Sequence, residues 1–394
     1  MTYSIVKFVF LVSALSAGVI WAQSTDFSVE GLPVQVHGFA SQAFLATDNN
    51  NYLTMPTSTG SFAFTDFGGN ISVQINGNFR VGAQLYDRNV GELGRWYPEL
   101  DWASGDYRFK DWLGIRAGKM KTVVGLYNDT QDLEFLHTWA LLPQSMYPVD
   151  LRTIISHIGG DVYGDISLQR LGSLDYTIHA GLIPGDPHGG YFYGSKAYGI
   201  DFTSLGAKSR GADLRWNMPL EGLLAGVSYV NASSNNKGMG PIGEPFTGRS
   251  KKYYVEQFFI EYVHGGLRLD GEYRRTYLDD VTLDPILPPE TILDNRSFYG
   301  SASYRLSKRI EIGTYYSRFY LNWGASHSDP GNHIFDKVAT IRLDLTSHWD
   351  LKLEGHFMNG YGASDAFRGF YLQDNPQGFK PNTNLLVIRT GIEF

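Results

Sequence analysis

The sequence predicts an all-β fold, a transmembrane antiparallel β-barrel of about 16 strands, and three observations carry that expectation. Apolar and polar residues alternate in stretches of about ten to thirteen residues, the length a tilted strand needs to cross a bilayer. The connections between these stretches alternate short and long. Beyond residue 22 no run approaches the roughly 18 apolar residues of a membrane-crossing helix. A helical membrane protein is therefore excluded, and a soluble sheet has no reason to keep such a strict alternation of loops.

The first 22 residues read as a signal peptide: Lys7 gives a positive start, Phe8 to Ile20 form an apolar core, and Ile20-Trp21-Ala22 offers a cleavage site. The remainder, 23–394, reads as one barrel domain. With 25 Tyr, 24 Phe and 45 Gly among 394 residues, strand and turn formers dominate. The absence of Cys excludes a disulfide scaffold and thiolate zinc sites, and suits passage through an oxidising compartment. The formal charge of −7 becomes −8 without Lys7, which argues against a nucleic-acid partner.

In order, strands are expected near 34–45, 67–76, 77–88, 98–109, 112–120, 158–169, 173–183, 205–217, 222–233, 251–264, 267–279, 296–306, 310–322, 335–346, 349–361 and 382–394. Asn76-Gly77 joins the second to the third, because both residues accept the positive φ of a tight hairpin turn. Lys110-Asp111, Gly265-Gly266, Ser307 to Arg309 and Ser347-His348 are further short connections. Short turns at one end and long loops at the other give the asymmetry of a membrane barrel, with an even strand number returning both termini to the short-turn side.

Each strand also shows which face meets lipid. On the last, Leu386, Ile388, Thr390, Ile392 and Phe394 share one face while Arg389 and Glu393 share the other. An Arg on the lipid face at mid-bilayer costs roughly 2–4 kcal/mol, so the charges face the lumen. The same division places Arg80, Arg88, Asp106, Arg108, Arg116, Arg215, Arg268, Asp270, Glu272, Arg274, Arg305, Arg342, Asp344, Lys352, Glu354 and Arg389 as pore-lining candidates. With Asp161, Asp165, Asp175, Asp213, Glu261, Glu311 and Glu393 also read as facing inward, the two signs nearly cancel along this wall, and many of the charges are expected to pair across neighbouring strands. Tyr107, Phe109, Trp102, Trp112, Trp216 and Tyr304, near strand ends, suit interfacial girdles.

The longest connection, 121–157, follows the fifth strand and is the third long loop. Its mixed polarity suits packing against an inner wall, and Lys121, Asp129, Asp132, Glu134, Asp150 and Arg152 are the candidates for a constriction.

Leu100-Asp101-Trp102, Asp106-Tyr107-Arg108-Phe109, Arg116-Ala117-Gly118-Lys119, Lys121-Thr122, Gly125-Leu126-Tyr127-Asn128 and the terminal Phe394 resemble the bacterial outer-membrane porins, more narrowly the phosphate-selective porin-like family. Where that family commonly has Pro-Phe before the loop glycine, this chain has Val123-Val124. The resemblance implies an outer-membrane channel for passive diffusion of small hydrophilic solutes or ions, with an in-folded third loop and a homotrimeric assembly. It also implies contact with outer-membrane lipid and lipopolysaccharide, and a Phe394 read by the barrel-assembly machinery. A substrate-specific channel for phosphate, a sugar or an organic acid is the alternative; a barrel adhesin or lipase is a third.

No catalytic residue, metal ligand or cofactor is assigned. Gly238-Met239-Gly240-Pro241-Ile242-Gly243 has the spacing of a phosphate-cradling loop, but Glu244-Pro245 stand where its helix should begin, so an outer loop is expected. His327 and His333 with Asp329 and Asp336, and the acidic Asp279, Asp280 and Asp284, read as loop polarity.

Overall fold

The computed structural model describes residues 27–29, 31–151, 155–283, 286–362 and 368–394. The expected leader, Arg152 and Asp284 lie outside these. A short β1 (Phe27–Val29) folds back on β2 (Leu32–Thr47). There follow β3 (Ser61–Asn76), β4 (Phe79–Val90), β5 (Glu99–Lys110), β6 (Leu113–Lys121), β7 (Ser156–Ser167) and β8 (Ser173–Pro184). Next come β9 (Asp201–Asn217), β10 (Leu223–Met239), β11 (Pro245–His264), β12 (Leu267–Leu283) and β13 (Glu290–Arg305). The last are β14 (Ile310–Tyr320), β15 (His333–Thr346), β16 (Trp349–Asn359) and β17 (Asn382–Glu393).

Every consecutive pair is antiparallel, and β17 returns to pair with β2, Ile388 opposite Phe44. Strands β2 to β17 thus close a 16-strand barrel with no free edge, which removes the exposed backbone groups that lipid would not tolerate. Among the described residues no helix is long and apolar enough to cross a membrane.

All 16 expected strands are present, and the differences lie at their ends. Strands β9 to β13 run several residues further toward the long-loop end than alternation indicates; on β10 and β11 the added stretches Ser233–Lys237 and Thr247–Ser250 are polar on both faces. The glycine-rich stretch at 238–243 is the end of β10 and the short turn into β11 on the long-loop side.

Burial is inverted relative to a soluble protein. On β16, Leu353 and Phe357 are 46% and 58% exposed, whereas Lys352 and Glu354 on the opposite face have no exposed surface. Ile71, Leu85, Ile115, Ile178, Ile260, Ile341 and Leu386 continue the outward apolar face around the barrel. So extensive an apolar surface is incompatible with water and suits a hydrocarbon surround. Tyr107, Phe109, Trp112, Trp216 and Tyr304 are exposed beside the short turns, where girdle residues belong. Trp102 departs from them, its ring packing over Gly82.

Candidate functional site: the lumen and its third loop

The connection from β6 to β7 turns inward, and its hydrogen bonds reach strands around most of the wall. Lys121, the last residue of β6 rather than a loop residue, ion-pairs with Asp101 at 2.7 Å and with Asp132 of the loop at 2.8 Å. The chain then enters the left-handed region at Gly125 (φ +67°), where a Cβ would collide with the Gln257 amide and the Glu272 carboxylate. Only glycine permits that approach. Gly125 N–H donates to Ser228 Oγ at 2.9 Å, Leu126 N–H to Glu272 at 3.1 Å, and Tyr127 Oη to Asp270 at 2.6 Å. The first third of the loop is thereby fixed to β10 and β12.

The middle section meets β14 to β17. Arg342, Lys352 and Arg389 stand directly opposite one another on β15, β16 and β17. Three adjacent like charges on one wall should repel. The loop and the wall's own acids resolve this together: Glu134 ion-pairs with the buried Lys352, Arg342 pairs with Asp344 at 2.7 Å and donates to the carbonyls of Phe135 and His137 at 2.7 and 2.8 Å, and Arg389 pairs with Asp66 at 2.6 Å and donates to the carbonyl of Ala140 at 2.8 Å. Reciprocally, Glu354 accepts from the N–H groups of Ala140 and Leu141 at 3.0 and 2.9 Å, and Thr138 donates to Glu311 at 2.6 Å. Burial alone raises the Glu134 pKa, but Lys352 and Arg389 outweigh it and hold the carboxyl below its usual range. Burial depresses His137 to about 3, so its ring is neutral where its Nε2 meets the Thr130 carbonyl at 2.9 Å.

On the return, Tyr147 Oη donates to Glu272 at 2.6 Å, and Arg274 and Arg88 donate to the carbonyls of Met146 and Val149. Asp150 accepts from Tyr371 Oη at 2.6 Å and Gly369 N–H at 2.7 Å, tying the loop to the last long connection. Burial pushes the Asp150 carboxyl up. Asp129 is also raised by burial, against the pull of Arg215.

Across the lumen the wall pairs with itself. Arg80, Asp106, Arg116, Asp161 and His179 form one rung of opposed residues across β4 to β8, mostly alternating in sign. Arg116 lies 3.7 Å from Asp161, and Tyr163 Oη donates to Asp106 at 2.6 Å. Arg215 pairs with Asp213 at 2.8 Å, Arg268 with Glu261 and Asp270, and Arg305 with Glu311 and Asp344 at 2.6 Å each. Arg108 sits at the short-turn rim beside Asp111. Wall acids thus pair with the arginines all round the barrel, Arg342 with Asp344 at 2.7 Å and Arg389 with Asp66 at 2.6 Å included, and on β15 to β17 the loop adds further partners.

Tyr127, Thr138, Tyr147 and Arg368 also bear on the lumen, and beyond the Gly125-Leu126-Tyr127 motif no local pattern marks them because their partners are distant in the chain.

Cavities open on both sides of the loop. One of about 270 Å³ opens on the long-loop side, between Asn128–Leu151 of the loop and the inner faces of β8 to β13. The other, about 300 Å³, lies on the short-turn side under Phe135, bordered by Arg309, Arg342, Asp344, His348 and Glu393. Among the described residues no group of three metal-ligand side chains converges. His327 and His333 instead bond the Trp323 carbonyl and Asn359, each at 2.9 Å.

No family model and no curated protein sequence matches the chain. Solved structures do. It is similar to in-vitro folded OmpT, an outer membrane protein of Vibrio cholerae, with 10% identity, 94% of this chain and 100% of that one covered, and a TM-score of 0.57. The anion-selective porin from Comamonas acidovorans matches with 11% identity over 92% and 100% of the chains, TM-score 0.55. The outer membrane channel DcaP of Acinetobacter baumannii matches with 10% identity over 94% and 100%, TM-score 0.54. At such identities the likeness is one of fold: the chain has the 16-strand barrel architecture of porin-type outer-membrane proteins.

Proposed function

We propose that the chain is an outer-membrane porin, a passive channel for small hydrophilic solutes or ions. The observation that carries this reading is the inverted barrel whose charged interior is crossed by an in-folded loop: the wall hydrates solutes, and the loop limits what passes. The named channel and porin among similar structures support it. In this reading residues 1–22 are removed on export, 23–394 form the barrel, and Phe394 serves as the assembly signal in a homotrimer bordered by lipopolysaccharide. Of the sixteen inward charges, those the loop leaves uncovered line the pore, the buried ones such as Lys352 and Glu354 anchor the loop, and Asp129, Asp132, Glu134 and Asp150 hold its constriction. No bond is made or broken.

Inorganic phosphate is a poor fit for the densest cationic group, since Arg342, Lys352 and Arg389 are already engaged by Glu134 and the loop carbonyls. Liposome swelling tests the channel reading. Purified barrel should admit small sugars at rates that fall with solute size; liposomes that do not swell for any solute contradict it.

A further inference from the structure

The cavity on the long-loop side holds two guanidinium groups whose bonding is incomplete. Arg274, on β12, is 5% exposed. Its Nε donates to Gln257 at 2.7 Å and its Nη1 to the Met146 carbonyl, yet its Nη2 is buried with no acceptor. Arg368, from the last long connection, lines the same cavity. Its Nε is likewise sealed from solvent without an acceptor, and its guanidinium lies 4.8 Å above the Phe319 ring. Among the described residues no carboxylate comes within ion-pair range of either guanidinium. Asp150, the acid acting most on Arg368, accepts from Tyr371 and Gly369 through Oδ2, its Oδ1 is buried without a partner, and it makes no ion pair with the guanidinium. Burial holds the Arg368 pKa down to about 10, with Asp150 raising it and Arg274 lowering it, so the Arg368 guanidinium is cationic at neutral pH.

Two buried cations with unsatisfied N–H groups beside one cavity are costly unless an anion completes them. The rest of the lining selects the kind of anion. Met146, Pro148, Leu151, Ile183, Leu205 and Leu278 make most of it apolar, a surface that favours an organic body and gives nothing back for stripping water from a small, highly hydrated anion. Asp280 also lines the cavity and repels a second negative group. At about 270 Å³ the space lies near the lower end of small-molecule sites, ~300–1,000 Å³.

We infer that this cavity is a binding site for organic monocarboxylates with a compact apolar body, the carboxylate bridging Arg274 and Arg368. The planar fork of a guanidinium matches a carboxylate in two parallel hydrogen bonds, and Arg274 and Arg368 enter from different elements, the barrel wall and a loop. The inference rests on the channel reading and deepens it: binding at the outer mouth would concentrate such solutes above the third loop.

The test uses detergent-solubilised full-length barrel and benzoate as the probe, with benzyl alcohol as its neutral counterpart and inorganic phosphate as the hydrated anion. Calorimetry should show benzoate binding that benzyl alcohol and phosphate do not reproduce, weakened at least tenfold in Arg368→Gln and in Arg274→Gln. Heat-modifiable gel mobility verifies that each variant is folded; Arg368→Gln carries the test if Arg274→Gln fails to fold, since Arg274 also holds Met146. Equal binding of benzyl alcohol, stronger binding of phosphate, no binding of benzoate, or benzoate binding unchanged in Arg368→Gln each overturns the inference. Calorimetry does not require conduction, so failure here leaves the channel reading standing, and failure of liposome swelling leaves the site standing.

Discussion

Lys352, without exposed surface, donates to the backbone carbonyl of Glu134 at 2.7 Å and ion-pairs with the same residue's carboxylate. This contact joins the middle of the third loop to the centre of a three-cation rung. Its energetic weight comes from burial: removing one member of a buried pair typically costs about 3–5 kcal/mol, because the survivor is left uncompensated.

Glu134→Gln should therefore release the middle of the loop without opening the barrel. Limited proteolysis of the folded protein should gain a cut within 130–142, while heat-modifiable gel mobility is retained. A cleavage pattern identical to that of the native chain counts against the pairing.

Acid should act in the same place. The Glu134 and His137 pKa values are both depressed in the docked loop, so the undocked state binds more protons and docking weakens as pH falls. For His137 the window runs from about 6.5 down to about 3; for Glu134 it opens only below the ordinary carboxylate range. Asp150 has the opposite sign, its raised pKa favouring the protonated, docked form in acid. Hydrogen exchange, corrected for intrinsic rates, should accelerate in 133–141 between pH 7 and pH 4 and not in 147–151. Equal acceleration in both segments contradicts this assignment.

Gly125→Ala combines a positive φ with a collision against Gln257 and Glu272, and a non-glycine residue under such strain costs roughly 1–3 kcal/mol. The thermal midpoint should fall, and the loop's entry should become protease-sensitive. Gly77→Ala is the comparison, because its Cβ meets nothing and a smaller shift is expected.

At the barrel seam, Phe394 and Gly38 exchange two backbone hydrogen bonds, of 2.9 and 3.0 Å, and the Phe394 ring covers Gly38. Deleting Phe394 removes both bonds and the ring. The yield of heat-modifiable barrel should drop severalfold while secreted unfolded chain accumulates; undiminished assembly argues against a role for this residue.

The barrel was legible because its rule is local. Lys352 and Glu354 alternate with Leu353 and Phe357, and that period of two is visible without knowing any partner. The polar outer ends of β10 and β11 broke the period and were read short. The loop's place in the lumen could be anticipated from its length and mixed polarity, but not its contacts: Glu134 finds Lys352 and Tyr127 finds Asp270 across separations that no local pattern encodes. Arg274 was recognised as facing inward. Its pairing with Arg368 needed the fold of the last connection.

Single-channel recording in a planar bilayer tests the central claim, that the barrel is a channel whose passage is narrowed by a third loop held at Glu134. The native protein should give discrete, stable steps in potassium chloride, and Glu134→Gln larger or noisier ones. A folded, inserted barrel that conducts nothing in either form would contradict the account, and native-like steps in Glu134→Gln would remove the loop's role from it.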